Sequence, residues 1–228
     1  MTMSPFSHGH RADRYHPVEL AYRSIKERID HCKFRPGVRL QPAKLADDLG
    51  ISKTPAREAL VRLSAQRIID EESRQGFRMV TPSEETLVSL HKAVDTLLRG
   101  AVKDWQKSGA ITKIEERPKS KTAIREEVGA AESIATKTAQ LFVNIARMSK
   151  NDVVVEVIKN LNDRIQMFRI IEYECIKNCG EELKEIHELY GKGAHACLVR
   201  LLRRYHAKRV SVSGAVFNEA LRRMYAQK

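Results

Sequence analysis

The chain has 228 residues, with 41 Lys and Arg against 29 Asp and Glu, a net charge of +12. That length can bury two modest cores, and the basic balance favours nucleic acid or other polyanions over acidic partners. No apolar run is long enough to span a membrane and no charged start leads into an apolar stretch, so neither a membrane protein nor a secreted one is expected. Cysteines 32, 175, 179 and 197 form no CxxC pair, and reduced thiols in a cytoplasmic protein are the expectation.

Residues 1–14 mix Ser, Pro, Gly, His and charges without a period and read as a mobile arm, with a basic DNA-touching arm as the alternative. After Pro17, Val18, Ala21, Tyr22, Ile25, Ile29 and Cys32 recur at helical spacing and stop before Pro36-Gly37, so Cys32 reads as core. Leu45, Ala46 and Leu49 give a second, short helix its inner face. Gly50 then punctuates, and a third helix opens Ser52-Lys53-Thr54-Pro55-Ala56-Arg57 and continues through Leu60 and Leu63. Thr54 is the expected cap, with Pro55 at the first helical position. Two short helices hinged at a glycine are the pattern of a DNA-reading helix-turn-helix, which places Lys53, Thr54 and Arg57 at the mouth of the major groove. The plainer reading is a helical hairpin with surface charges.

The next segment of the chain favours DNA. Residues 68–70 and 77–80 are short apolar runs flanking Ser73-Arg74-Gln75-Gly76, which predicts a β-hairpin, and a hairpin after such helices is a wing. Gly76 lets the backbone approach DNA closely, and Arg74 and Arg78 offer charge to phosphates or a minor groove. The acidic run Asp70-Glu71-Glu72 is expected to face away from DNA. Residues 1–82 hold 15 of the basic and 10 of the acidic residues, so both parts of the chain are basic.

From residue 83 onward the periodicity is helical. Leu87, Leu90, Val94, Leu97, Leu98, Ala101, Val102 and Trp105 form one stripe, and residues 108–121 read as a loop. Ile124, Val128, Ala131, Ile134, Ala135, Leu141, Phe142 and Ile145 predict the next helix or broken pair. Asn151 or Asp152 can cap a long helix carrying Val154, Val157, Ile158, Leu161, Ile165 and Phe168, although residues 153–155 have strand propensity. Helices bearing Leu198, Leu201, Leu202 and Tyr205, then Val216, Phe217, Leu221 and Met224, complete the set. The fold class is mainly α: a winged helix-turn-helix at 15–82, then an all-helical antiparallel bundle of about six helices at 83–228. The stripes led by Leu90 and Val216 are too much apolar surface for one small bundle, so a symmetric dimer is expected.

The first part resembles the GntR superfamily of bacterial transcription regulators, through residues 34–40, Leu45-Ala46, residues 50–60 and Gly76. The resemblance implies DNA contacts from Arg39, Ser52, Lys53, Thr54, Arg57 and Gly76. It departs at Ala43, where an arginine is usual and Lys44 stands beside, and at Lys53, which lacks the bidentate fork of arginine. The helical remainder looks like the FadR-type (FCD) branch, which implies a dimer and a small organic acid or acyl ligand in the bundle. That branch often holds a divalent metal with one aspartate and three histidines. Here those positions fall on Thr138, Phe142, Lys184 and His206, and only His206 keeps a ligand's chemistry, so neither metal nor cofactor is expected. His91 and Asp95 match an arginine and a glutamate of the branch, and these six residues are the candidate effector site. The plain reading of His91 and Asp95 is that they are polar positions on a mostly apolar helix.

Cys175, Cys179, His187, His195 and Cys197 could hold zinc if four of them converged. The alternative is that Cys175 and Cys197 pack as small apolar groups and the histidines face solvent. The basic tract of Arg200, Arg203, Arg204, His206, Lys208 and Arg209 spreads around its helix as a solvated face, with a small part able to line an anion pocket. The chain thus reads as a dimeric, DNA-binding repressor controlled by a small, anionic metabolite. The alternative is a ligand-independent DNA-binding or architectural protein whose bundle serves only assembly. No nucleophile elbow, phosphate loop or paired acid and base supports an enzyme.

Overall fold

The structure, a computed structural model, describes residues 16–73, 75–109 and 130–227. The expected N-terminal arm, Arg74, Ile124, Val128 and most of the 108–121 loop lie outside the described residues. The chain runs α1 (Pro17–Asp30), β1 (Arg39–Leu40), α2 (Pro42–Leu49), α3 (Lys53–Ala65), β2 (Ile69–Glu72) and β3 (Gly76–Met79), followed by α4 (Glu84–Ser108), α5 (Ala130–Arg147), α6 (Asp152–Cys175), α7 (Cys179–Gly191), α8 (His195–Ser211) and α9 (Ser213–Tyr225).

Local chemistry sets the first three helices. Pro42 opens α2 where a missing N–H is harmless, and Gly50 closes it in the left-handed region at φ 64°. The Ile51 N–H then reaches back to the Ala46 carbonyl at 3.1 Å, which locks the turn. Ser52, not Thr54, occupies the N-cap of α3, with no side-chain capping bond. Thr54 and Pro55 fall at the second and third helical positions. Pro55 is tolerated there because N–H groups of the first turn have no partner within the helix. Ala56, Ala59, Leu60 and Leu63 face inward with no exposure.

The wing is a three-stranded antiparallel sheet in the order β1-β3-β2, with Arg39 opposite Arg78 and Asp70 opposite Arg78 across the other edge. The two-residue strand β1 adds to the expected hairpin. Cys32 is buried as core, just past α1 and at φ 56°.

Ser83 caps α4 by accepting from the Thr86 N–H at 3.1 Å, and Gly109 ends it at φ 61°, so the helix runs through Ser108, where the sequence reading began a loop. Asn151 caps α6 by accepting from Val153 and Val154 N–H, and residues 153–155 are helical despite their β-branched run. Val157 is exposed, against its place in the expected stripe. The apolar surplus is smaller than predicted: Leu90, Val94 and Val216 are buried within one chain, and Leu97, Phe217 and Leu221 are half-buried. No helix among the described residues is long and apolar enough to cross a membrane.

Two main cores result. One unites α1, α3 and the wing with Leu87 of α4, Met167, Phe168 and Ile171 of α6, and Val216, Ala220 and Met224 of α9. The other fills the helical region from Leu90 to Tyr205. The reading head therefore shares its core with the helices behind it. Polar ties reinforce the seam: Asn160 Nδ2 donates to the Gln66 carbonyl at 2.9 Å, Lys26 stands 3.4 Å from Asp163, and Arg35 donates twice to the Gln227 carbonyl.

Candidate nucleic-acid interface and the polar centre of the bundle

The start of α3, the N-terminal end of α2, β1 and the start of β3 enclose an open concavity of about 1030 Å³. Arg39, Lys53, Thr54, Arg57 and Gly76 line it, together with Glu58. Gly76 sits at φ 83°, a conformation that side chains rarely adopt, and the Arg39 guanidinium lies over it. Lys44 is exposed on α2 and Ser52 is exposed in an adjoining groove shared with Thr54.

Pairing separates the cations into two groups. Among the described residues, none of Arg39, Lys44, Lys53 and Arg57 is in an ion pair. Arg28, Arg62 and Arg78 are instead held by Asp48, Glu19 and Glu72, each at 2.9 Å. Arg78, expected to offer charge to DNA, also donates to the Gly37 carbonyl and to Gln75, so its fork braces the wing. Asp70, Glu71 and Glu72 are exposed and do not line the concavity.

The second candidate site lies inside the helical region. His91, Thr138, Phe142 and His206 converge there, all of them buried. Lys184 is exposed on α7, where Ile186 takes the inward position; two residues of helix turn a side chain to the far face. Asp95 pairs with Arg99 at 2.8 Å and is only half-buried. Neither joins the centre.

Residues that the sequence reading did not assign complete that centre. Glu172, with no exposure, has Oε1 2.7 Å from His91 Nε2 and Oε2 3.8 Å from Arg209 Nε. Arg209 reaches Glu182 at 2.7 Å and stacks 3.4 Å over the Tyr205 ring. The Tyr173 hydroxyl donates to Thr138 at 2.8 Å and meets the Tyr205 hydroxyl at the same distance. Arg169 donates to Asn162 at 2.9 Å. Burial alone would raise the Glu172 carboxyl, but His91 and Arg209 outweigh it and hold the pKa below its ordinary value. Burial, reinforced by the neighbouring charges, pushes His206 well below the usual histidine range, so it is neutral. Arg169 Nε, Glu172 Oε2, His206 Nε2 and Arg209 Nε are buried without hydrogen-bond partners among the described residues. The available signal was a charged pair, Arg169 and Glu172, set within the largely apolar stretch 165–173.

The five candidate zinc ligands do not converge, and no group of three or more metal-ligating side chains forms among the described residues. Cys175 and Cys197 are exposed rather than packed, whereas Cys179 is buried with its thiol donating to the Ile176 carbonyl. His195 packs edge-on against Trp105, with centroids 4.4 Å apart, and only His187 is exposed. Of the basic tract on α8, His206 and Arg209 point inward.

Two short helices, a third helix behind a glycine-hinged turn and a wing framing unpaired cations define a winged helix-turn-helix DNA-binding protein. Residues 17–79 match the family of bacterial regulatory proteins, gntR family, and are a GntR-family DNA-binding domain. The chain is 26% identical over 158 residues to the uncharacterized HTH-type transcriptional regulator YdhC of Bacillus subtilis (strain 168), covering 67% of this chain and 69% of that one. It is 25% identical over 148 residues to the Nta operon transcriptional regulator of Aminobacter aminovorans, covering 62% and 68%. Its fold is like that of a protein described as a transcriptional regulator, GntR, from Rhodococcus sp. RHA1, with TM-score 0.62 and 15% identity, covering 87% and 97%. The chain is a DNA-binding transcription regulator and not an enzyme.

Proposed function

We propose that the chain is a cytoplasmic, dimeric repressor, with a DNA-binding domain at 15–82 and a FadR-type effector and dimerisation domain at 83–228. The single observation that carries the DNA-reading face is the set of unpaired cations, Arg39, Lys53 and Arg57, lining one concavity. Uncompensated cations on a preformed surface are suited to phosphates and base edges, because no internal partner must first be displaced. Thr54 and Ser52 add hydroxyls at the same helix mouth, Gly76 allows close approach, and Lys44 flanks them. Arg78 belongs to the wing and acts mainly by bracing its shape. A dimer places two such faces on a pseudo-palindrome, so subunit geometry sets the half-site spacing.

The proposed effector is a small organic acid that acts on the polar centre around His91, Thr138, Phe142 and His206. The unpartnered nitrogens of Arg169 and His206 support this reading. The second reading, a ligand-independent DNA-binding protein, draws support from Glu172, which already sits between His91 and Arg209, and from Phe142 packed 5.5 Å from the His206 ring.

A panel of organic acids separates the two. An effector at a hundred times its Kd is expected to stabilise the chain by about 2.7 kcal/mol and to weaken its DNA complex. A panel in which no acid moves either the melting temperature or the DNA complex would leave the ligand-independent reading standing.

A further inference from the structure

A cavity of about 440 Å³ lies where the reading head meets the helical region. The end of α1, the turn after α3, residues 79–83, the start of α4 and the middle of α6 all contribute to it. Its apolar wall includes Met79, Leu90, Met167 and Phe168, each buried. Arg67 and Arg164 line the same cavity, and neither guanidinium has an ion pair or a hydrogen bond among the described residues. Arg169, a little over one turn along α6, is by contrast bonded to Asn162 and Gln166.

Three aspartates also reach this cavity, so the charges must be weighed. Asp30 and Asp163 face Lys26 at 2.8 and 3.4 Å, and burial lifts the Asp30 carboxyl to about 6 against the pull of that lysine. Asp70 is exposed on β2, and Arg78 opposite it in register is held by Glu72. The charges beside the apolar wall without an ion pair among the described residues are therefore Arg67, Arg164 and the exposed Asp70, two cations against one carboxylate. Burial, and then the nearby charge of Arg67, lowers the Arg164 pKa. Convergent like charges over an apolar wall, in a cavity within the usual size range, are the features of an anion-binding pocket.

We propose that this cavity binds a small amphipathic carboxylate, its head between Arg67 and Arg164 and its hydrocarbon against Met79, Leu90, Met167 and Phe168. The site is distinct from the polar centre of the bundle. Its occupant touches the turn after α3, the root of the wing and α6 at once, so binding there is coupled to how the reading head is held.

The test is calorimetric titration of the full chain with octanoate, using acetate and octanamide as controls for head and tail. Octanoate is expected to bind saturably, one per chain, with both controls weaker by about tenfold or more. Arg164→Gln and Arg67→Gln are each expected to weaken octanoate by about tenfold or more, the usual effect of losing a charge-assisted hydrogen bond. Ligand-free Arg164→Gln should melt no lower than the wild type, since it removes an unpartnered charge, and His206→Ala should bind octanoate normally. The proposal is overturned by absent octanoate binding, by undiminished binding in both arginine variants, or by a ligand-free Arg164→Gln that melts below the wild type. Binding lost in His206→Ala but kept in Arg164→Gln also overturns it. That last result would place the acid at the bundle centre and leave the effector reading intact.

Discussion

Replacing Glu172 by alanine is expected to destabilise the fold by about 3–5 kcal/mol, the usual cost of breaking a buried ion pair by removing one partner. Glu172 is wholly buried on α6 and ties that helix to His91 of α4 and Arg209 of α8. Without it, His91 loses its acceptor, and Arg209 keeps a single carboxylate, Glu182, against its desolvation. Glu172→Gln retains a carbonyl to meet His91 and should cost less. The pH dependence has a definite sign. Because the folded-state pKa of Glu172 is lowered, its contribution is fully present above the ordinary glutamate value of 4.5 and fades as acid titrates the carboxylate below it. Urea denaturation should therefore show a wide gap between wild type and Glu172→Ala at pH 7 and a narrower one near pH 3. Equal midpoints at pH 7 would mean that the buried pair holds nothing together.

DNA affinity is expected to collapse with salt. Arg39, Lys44, Lys53 and Arg57 have no ion pair among the described residues, and a dimer on two half-sites would double that number. If about 6–10 phosphates are neutralised, affinity falls by about 10³–10⁵ between 50 and 200 mM salt, through release of condensed counterions. A subunit binding alone would halve the logarithmic slope, so the same titration also reports the assembly. Sedimentation of the free protein gives the independent check. A nearly flat salt dependence, or a monomer at micromolar concentration, would contradict a dimer gripping two half-sites.

The reading head was legible because its signals are local. Gly50 and Pro55 punctuate the helices through backbone chemistry alone, and Ile25, Leu60 and Leu63 betray their inward faces by spacing. Asn151 was legible as a cap for the same reason. The cap of α3 was misplaced by two residues because proline is tolerated anywhere in the first helical turn. Strand β1 was missed because two residues carry no periodicity and form a strand only by pairing with β3.

The polar centre was half legible. His91, Thr138, Phe142 and His206 do meet, yet Glu172 and Arg209 are 37 positions apart and become partners only through packing of α6 and α8. Lys184 and Asp95 were carried over by position, and helix rotation and a local pair with Arg99 place them elsewhere. Periodicity likewise could not show that α9 closes the core beneath the reading head, because a half-apolar helix fits an inter-subunit face equally well.

The central claim is that the concavity of unpaired cations reads DNA, and two arginines of one helix test it most directly. Arg57 lines the concavity, whereas Arg62 is held by Glu19 and stacked 3.8 Å over the Tyr22 ring on another face of α3. On a fragment selected from genomic DNA by the wild-type protein, Arg57→Ala is expected to cost about 1–3 kcal/mol of specific binding, with Arg62→Ala leaving affinity unchanged. Wild-type affinity for Arg57→Ala, or an equal loss in both variants, would contradict the assignment of this face to the operator.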